Sequence, residues 1–271
     1  MSQISSRPSL YSSLIEAIFF KYYHEGDEVV SFAREDIIET ASRLDLKLPK
    51  NLGDVIYSFR YRKDFPKKII EKAREGKSWV ILSEGRSRYQ FALVAVSKII
   101  PNHNLLEIKI PDSTPGLISK YSLIDEQALL AILRYNRLID VFTSLVCFSL
   151  QNHLRTTVQG NQIETDEIYI GVDNSGVHYV LPVQAKGGSD QLGIIQIEQD
   201  IAMCANKFPH LFCRPIASQF MTDNSIALFE FCSTPEGIRV VEEKHYRLVD
   251  PEELSNDELN EYKKRLGNKL V

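Results

Sequence analysis

No two of the four cysteines, Cys147, Cys204, Cys213 and Cys232, stand at CxxC spacing, and their neighbours, as in LVCFSL, are apolar. That pattern excludes a zinc ribbon and a disulfide framework, and it reads as buried reduced thiols. The six histidines are scattered at 24, 103, 153, 178, 210 and 245, so zinc chemistry is not expected. There is no GxxxxGK[ST], no GxSxG and no HExxH, which removes the phosphate loop, the serine hydrolase elbow and the zinc protease helix. No uninterrupted apolar run reaches the roughly 18 residues that a membrane span needs. The opening MSQISSRPSLYSS also lacks a signal-peptide hydrophobic region. A cytoplasmic chain free of the membrane is the expectation. Nor is there an overall positive charge: Lys+Arg 32 against Asp+Glu 36 gives -4, so any surface for nucleic acid must be local.

What is present divides in two. At ~150 residues per domain, a chain of 271 residues has room for about two cores. Leu10, Leu14 and Ile18 recur at helical spacing before a stop at Gly26, and Ile37, Ile38, Ala41 and Leu44 mark a second helix closed by Pro49. Asn51 opens a third, with Leu52, Val55, Ile56 and Phe59 on one side and Pro66 as its limit. The run WVILSEGRSRYQFALVAV reads as two strands, Trp79 to Leu82 and Tyr89 to Val96, around a polar loop. With an extended piece at Val29 to Phe32, the order helix, strand, helix, helix, hairpin is that of a winged helix, and residues 1–97 form the expected first domain.

Charge points the same way. Residues 51–90 hold ten Lys/Arg against five Asp/Glu. Arg60, Arg62 and Lys63 follow one another at the end of the third helix, and Arg86 and Arg88 decorate the hairpin loop. Cations on a groove-inserted helix and its wing are what contact with duplex phosphates requires, so these five are the candidate DNA-binding residues. The competing reading is an ordinary solvated helix face.

Residues 98–124, with Pro101, Pro111, Pro115 and Gly116 around LLEIKI, read as a connector. From Asp125 to about His153 apolar residues recur every three or four positions, which predicts one long core helix carrying Asp140. Strands are expected at TDEIYIGV, HYVLPVQAKG, LFCRPIA, SIALFEFC and GIRVVEEKHYRLV, with a helix over QLGIIQIEQDIAMCANKF and a charged helix in the tail.

The polar residues that stand out lie between Glu164 and Lys186. Strand alternation puts Glu164 and Asp166 on one face, and after a turn at 173–176 it puts Gln184 and Lys186 on a common face at the polar end of the next strand. If the two strands pair, carboxylate, amide and ammonium converge beside Gly187-Gly188. Hard oxygen donors suit Mg²⁺, and a lysine can orient or help deprotonate an attacking water. Gln196, Gln199, Asn152, His153 and Arg155 are further polar residues able to face such a site. The structural alternative is a cross-strand Asp166–Lys186 ion pair with an edge-protecting lysine.

Asp166 and, after 17 intervening residues, Gln184-Ala185-Lys186 resemble the PD-(D/E)xK nuclease superfamily. The whole arrangement resembles its type II restriction endonucleases with an N-terminal winged helix. The resemblance implies an α/β fold, a restriction-endonuclease-like mixed-sheet core over residues 125–271 behind a winged-helix-like domain. It implies Asp166, Gln184 and Lys186 as catalytic residues, metal ligation by Asp166 and Gln184 with Glu164 or Asp140 assisting, and Mg²⁺-dependent hydrolysis of double-stranded DNA by a homodimer. Gln184 departs from the acid usual at its position. A DNA-binding regulator without activity and a structure-specific repair or recombination nuclease are the alternatives.

Overall fold

The computed structural model describes residues 9–48, 50–95, 98–121, 123, 125–158, 161–187, 192–235 and 237–267. The expected Pro49 stop, the Val96 strand end, the boundary at 97, Gly188 and the tail beyond 267 lie outside the described residues.

The N-terminal part runs α1 (Leu10–Tyr22), β1 (Val29–Ala33), α2 (Glu35–Arg43), α3 (Leu52–Tyr61), the single turn α4 (Lys67–Ile70), β2 (Ser78–Ser83) and β3 (Arg88–Val94). Side-chain caps start two of the helices: Ser9 Oγ accepts the Ser12 N–H, and Asn51 Oδ1 accepts the Gly53 N–H at 3.0 Å. The three strands form an antiparallel sheet in the order β1-β3-β2. Leu14, Ile18, Ile37, Val55, Phe59 and Phe91 meet in its core with Trp79 and Ile81. The four expected helix and strand segments before the hairpin are therefore all present, in the expected order.

The rest of the chain runs β4 (Lys98–Ile99), β5 (Glu107–Pro111), α5 (Gly116–Tyr121), α6 (Glu126–Tyr135), α7 (Leu138–Thr143), β6 (Val146–Val158), β7 (Asn161–Val172), β8 (His178–Lys186), β9 (Leu192–Gly193), α8 (Ile194–Lys207), β10 (Phe212–Cys213), β11 (Ile216–Phe220), β12 (Ile226–Thr234) and β13 (Gly237–Val249), then a 3-10 turn (Pro251–Glu253) and α9 (Asn256–Gly267). A mixed eight-stranded sheet takes the order β5-β13-β12-β11-β8-β7-β6, with β10 beside β8. Pairing is parallel at β5/β13, β8/β11 and β8/β10 and antiparallel elsewhere. β4 and β9 form a separate antiparallel pair, so the molecule is mixed α/β with one large mixed sheet, a smaller three-stranded antiparallel sheet and this two-stranded one among the described residues. Strand alternation separates its two faces: Ile226 and Leu228 pack under α6 and α7, while Ala227 and Phe229 pack under α8.

Two expectations are corrected. The predicted long helix from Asp125 to about His153 is two short helices followed by the edge strand β6, because Arg137 and Ser144 adopt left-handed backbone (φ +49° and +58°) that an α-helix cannot continue through. The predicted connector contributes β5, whose residues 107–111 pair in parallel with β13 and close one edge of the large sheet. Among the described residues no helix is long and apolar enough to cross a membrane. All four cysteines are free thiols.

Candidate active site

The β7–β8 hairpin pairs in register from Val172↔His178 to Glu167↔Val183 and no further. Beyond that point the strands separate. β7 stays paired with β6, and β8 stays paired with β11 through Lys186↔Gln219. Asp166 and Lys186 sit just past the fork, where a side chain can reach solvent between two backbones that no longer bond to each other.

There they line a cleft of about 1600 Å³ between the large sheet and the N-terminal unit. Its floor holds Glu126, Glu164, Asp166, Lys186, Gln196 and Gln199, and its opposite wall holds Tyr57, Arg60, Arg62, Lys63 and Arg86. Asp166 is buried, and one of its oxygens accepts the Ala185 N–H at 2.9 Å. The other oxygen has no hydrogen bond among the described residues. Burial pushes the Asp166 carboxyl up, and Lys186 and the Ala185 N–H pull it part of the way back. Glu126 adds to the rise and His153 opposes it, so both lie within electrostatic reach. Lys186 Nζ donates to Glu126 Oε1 at 2.5 Å.

The sequence alone does not point to Glu126. It stands 60 residues from Lys186, and its only local signal is its place in the first turn of α6. What brings it in is Gly187. A Cβ there would stand 3.0 Å from the Asp125 backbone, so only glycine lets the end of β8 lie this close to the start of α6.

The other candidates fall as follows. Glu164 lines the cleft, half-exposed, and pairs with Arg155 at 2.8 Å. Asp140 does not join the site: it bonds to Arg137 and accepts the Cys147 N–H at 3.0 Å, tying α7 to β6. Gln184 is corrected as well. It lies fully buried one layer beneath the cleft, under Gln196, whose Nε2 donates to it at 3.4 Å. Its own Nε2 donates to Asp200 Oδ2 at 2.8 Å and to the Glu164 carbonyl at 3.2 Å. Asp200 is the second group missed. It is fully buried on α8, and desolvation pushes its carboxyl up to about 7. Its signal was available, since an acid stands in the apolar stripe Ile197, Ile201, Cys204 at the i+3 place.

The basic residues separate by partner. Lys67, Lys68, Lys72, Arg74 and Lys77 are ion-paired with Glu71, Glu16, Glu25 and Glu28. Arg60, Arg62, Lys63, Arg86 and Arg88 form no ion pair among the described residues, and all but Arg88 line the cleft. Arg62 stacks on Tyr57 at 4.7 Å and Arg60 on Tyr61 at 5.2 Å. Tyr61 is in turn anchored by its hydroxyl to Gln199 of α8 at 3.1 Å. Arg60 Nε is buried without a hydrogen-bond partner among the described residues.

Comparison with family models, curated proteins and solved structures returns no match. The geometry therefore carries the functional reading alone. Among the described residues no three His, Cys, Asp or Glu side chains gather as a metal cage. Two carboxylates, Asp166 and Glu126, do share the floor with a lysine, and one or two carboxylates with several retained waters are how proteins commonly hold Mg²⁺. The donor set fits that ion.

Proposed function

We propose that this chain is a Mg²⁺-dependent endonuclease of double-stranded DNA, with a winged-helix-like unit set against a restriction-endonuclease-like core, and that it acts as a type II restriction enzyme. One observation carries the reading. A single cleft places Arg60, Arg62, Lys63 and Arg86, which form no ion pair among the described residues, opposite the buried Asp166 and its neighbour Lys186, so a backbone held by the first is presented to the second.

In this reading Arg60, Arg62, Lys63 and Arg86 neutralise phosphates and fix the register of the duplex. Asp166 and Glu126 hold the divalent ion, which when bound polarises the scissile phosphate. Lys186, held as an ammonium, orients the attacking water and stabilises the negative charge that develops on phosphorus, while the water's proton leaves to solvent. Its contact with Glu126 keeps the ammonium aimed into the cleft. Cutting both strands with one such site per chain favours a two-fold dimer on a palindrome, and the mass of the protein–DNA complex in solution checks this.

The test is incubation with mixed plasmid and phage DNA plus Mg²⁺, followed by sequencing of the ends. Discrete ends from the wild type, lost in Lys186→Ala at unchanged DNA affinity, are the expected result. Binding without cutting under any divalent metal would instead favour the DNA-binding regulator, a reading that the burial of Gln184 also suits. Preference for branched over linear duplex would favour a repair or recombination nuclease.

A further inference from the structure

Past Glu167↔Val183 no backbone ladder joins β7 to β8, yet the candidate chemistry depends on Asp166 of one strand and Lys186 of the other keeping a fixed relation. Besides the bonds from the Ala185 N–H to Asp166 and from Gln184 Nε2 to the Glu164 carbonyl, one buried side chain holds both strands at once. Asp200 Oδ1 accepts from Thr165 Oγ1 at 2.5 Å, and Asp200 Oδ2 accepts from Gln184 Nε2 at 2.8 Å. Thr165 immediately precedes Asp166, and Gln184 stands two residues before Lys186.

We propose that Asp200 is a positioning residue that clamps the two separated strands and so fixes Asp166 relative to Lys186. The proposal rests on the nuclease reading for its catalytic consequence.

Three features support it. Asp200 and Gln184 are fully buried, and Thr165 with them, so the contacts are not exchanged with water. Asp200 has no cationic partner among the described residues, so its burial is not explained by an ion pair, and an unpaired buried carboxylate is expensive to keep. Finally, the donor count suits an acid. A carboxylate accepts from both strands at once, whereas an asparagine at 200 keeps the Gln184 contact only by turning its N–H toward Thr165, whose hydroxyl must then reverse and accept. The same count explains the glutamine at 184. It must donate to Asp200, which a glutamate cannot do.

The test compares the full-length wild type, Asp200→Asn and the exchanged pair Asp200→Asn/Gln184→Glu. The pair puts the amide on α8 and the carboxylate on β8 across the same contact. Each protein is assayed for plasmid cleavage with Mg²⁺, for thermal unfolding, and for the ¹³Cε signal of Lys186 in lysine-labelled protein. Asp200→Asn is expected to lower kcat by roughly 10–100-fold at a KM unchanged within about two-fold, and to shift the Lys186 signal. The exchanged pair should recover most of both, because only the Glu164 carbonyl loses its donor. An unshifted Lys186 signal, or an exchanged pair no better than the single variant, overturns the proposal.

A wild type that cuts no DNA defeats the nuclease reading, and the Lys186 signal still decides the clamp. A wild type and Asp200→Asn that cut equally well defeat the clamp alone. If Asp200→Asn does not fold, Thr165→Val removes one donor at nearly constant volume and carries the same measurements.

Discussion

A carboxyl that retains its proton on folding makes stability depend on pH. Burial raises Asp200 to about 7, whereas in the unfolded chain an aspartate titrates near ~3.9. Between those values the native state holds a proton that the unfolded chain has lost. This group's contribution to stability is therefore full below about 4, declines as pH rises toward 7, and is flat above it. Urea midpoints measured across that range should fall more steeply for the wild type than for Asp200→Asn, and parallel curves would show that Asp200 is ionised throughout. Lys186→Ala should behave differently. It removes a group acting mainly in the transition state, so kcat falls by at least ~10²-fold while DNA affinity holds. Asp166 and Lys186 were legible because strand alternation and a turn at 173–176 place them without tertiary knowledge. Gln184 was placed on the correct strand but one layer too shallow, since alternation reports the face and not the depth. Glu126 was out of reach because its link to Lys186 depends on the close approach at Gly187.

The same contrast between local and distant causes holds for the helices and strands. α1 to α3 and the β2–β3 hairpin carry complete periodic patterns, with side-chain caps on α1 and α3, and so could be read directly. β6 could not, because its two preceding breaks use arginine and serine in left-handed backbone where glycine would have announced them. β5 is half-exposed and, among the described residues, pairs only with β13, 138 residues from Glu107 at His245, so no short-range pattern marks it as part of the sheet. For the cleft wall, each phosphate contact from α3 or the hairpin that is neutralised should reduce the salt slope of DNA binding by about 0.9. Arg60, Arg62, Lys63 and Arg86 should show this in filter-binding titrations, whereas Arg74 and Lys77, already paired with Glu28, should leave the slope unchanged. Equal effects from both sets would mean that ion pairing does not select the surface. At the opposite wall, Gly187→Ala forces the backbone of Asp125 and Glu126 away from β8, an overpacking expected to cost about 1–3 kcal/mol. Calorimetry should show that loss together with slower cleavage, because the Glu126–Lys186 contact is displaced.

Both walls meet on α8. Val80 and Ala92, on the outer face of the small sheet, are buried with Ile194, Ile195 and Ile197 of that helix, while Trp79 and Ile81 on the same strand point into the N-terminal core. One stretch of α8 thus seats the basic wall through this apolar contact and the Tyr61–Gln199 bond, and the very next residue, Asp200, clamps the forked strands. The spacing between phosphate-binding cations and the carboxylate–lysine pair is set by one rigid element. A chain joined this way should unfold as one cooperative unit even though it contains two cores. Val80→Asp is the selective test, because alternation directs this side chain away from the N-terminal core and into the cluster it shares with α8. The buried, unpaired charge should cost about 3–5 kcal/mol at the contact while leaving the packing of Trp79 and Ile81 intact. Differential scanning calorimetry is expected to show a single transition for the wild type and two for Val80→Asp, the large-sheet transition staying near the wild-type temperature. Cleavage should fall with the split even though every cleft residue is still present, since the cations and the Asp166–Lys186 pair would no longer share a fixed separation. Two transitions in the wild type, or one common transition merely lowered in the variant, would show that α8 does not hold the cleft in this way.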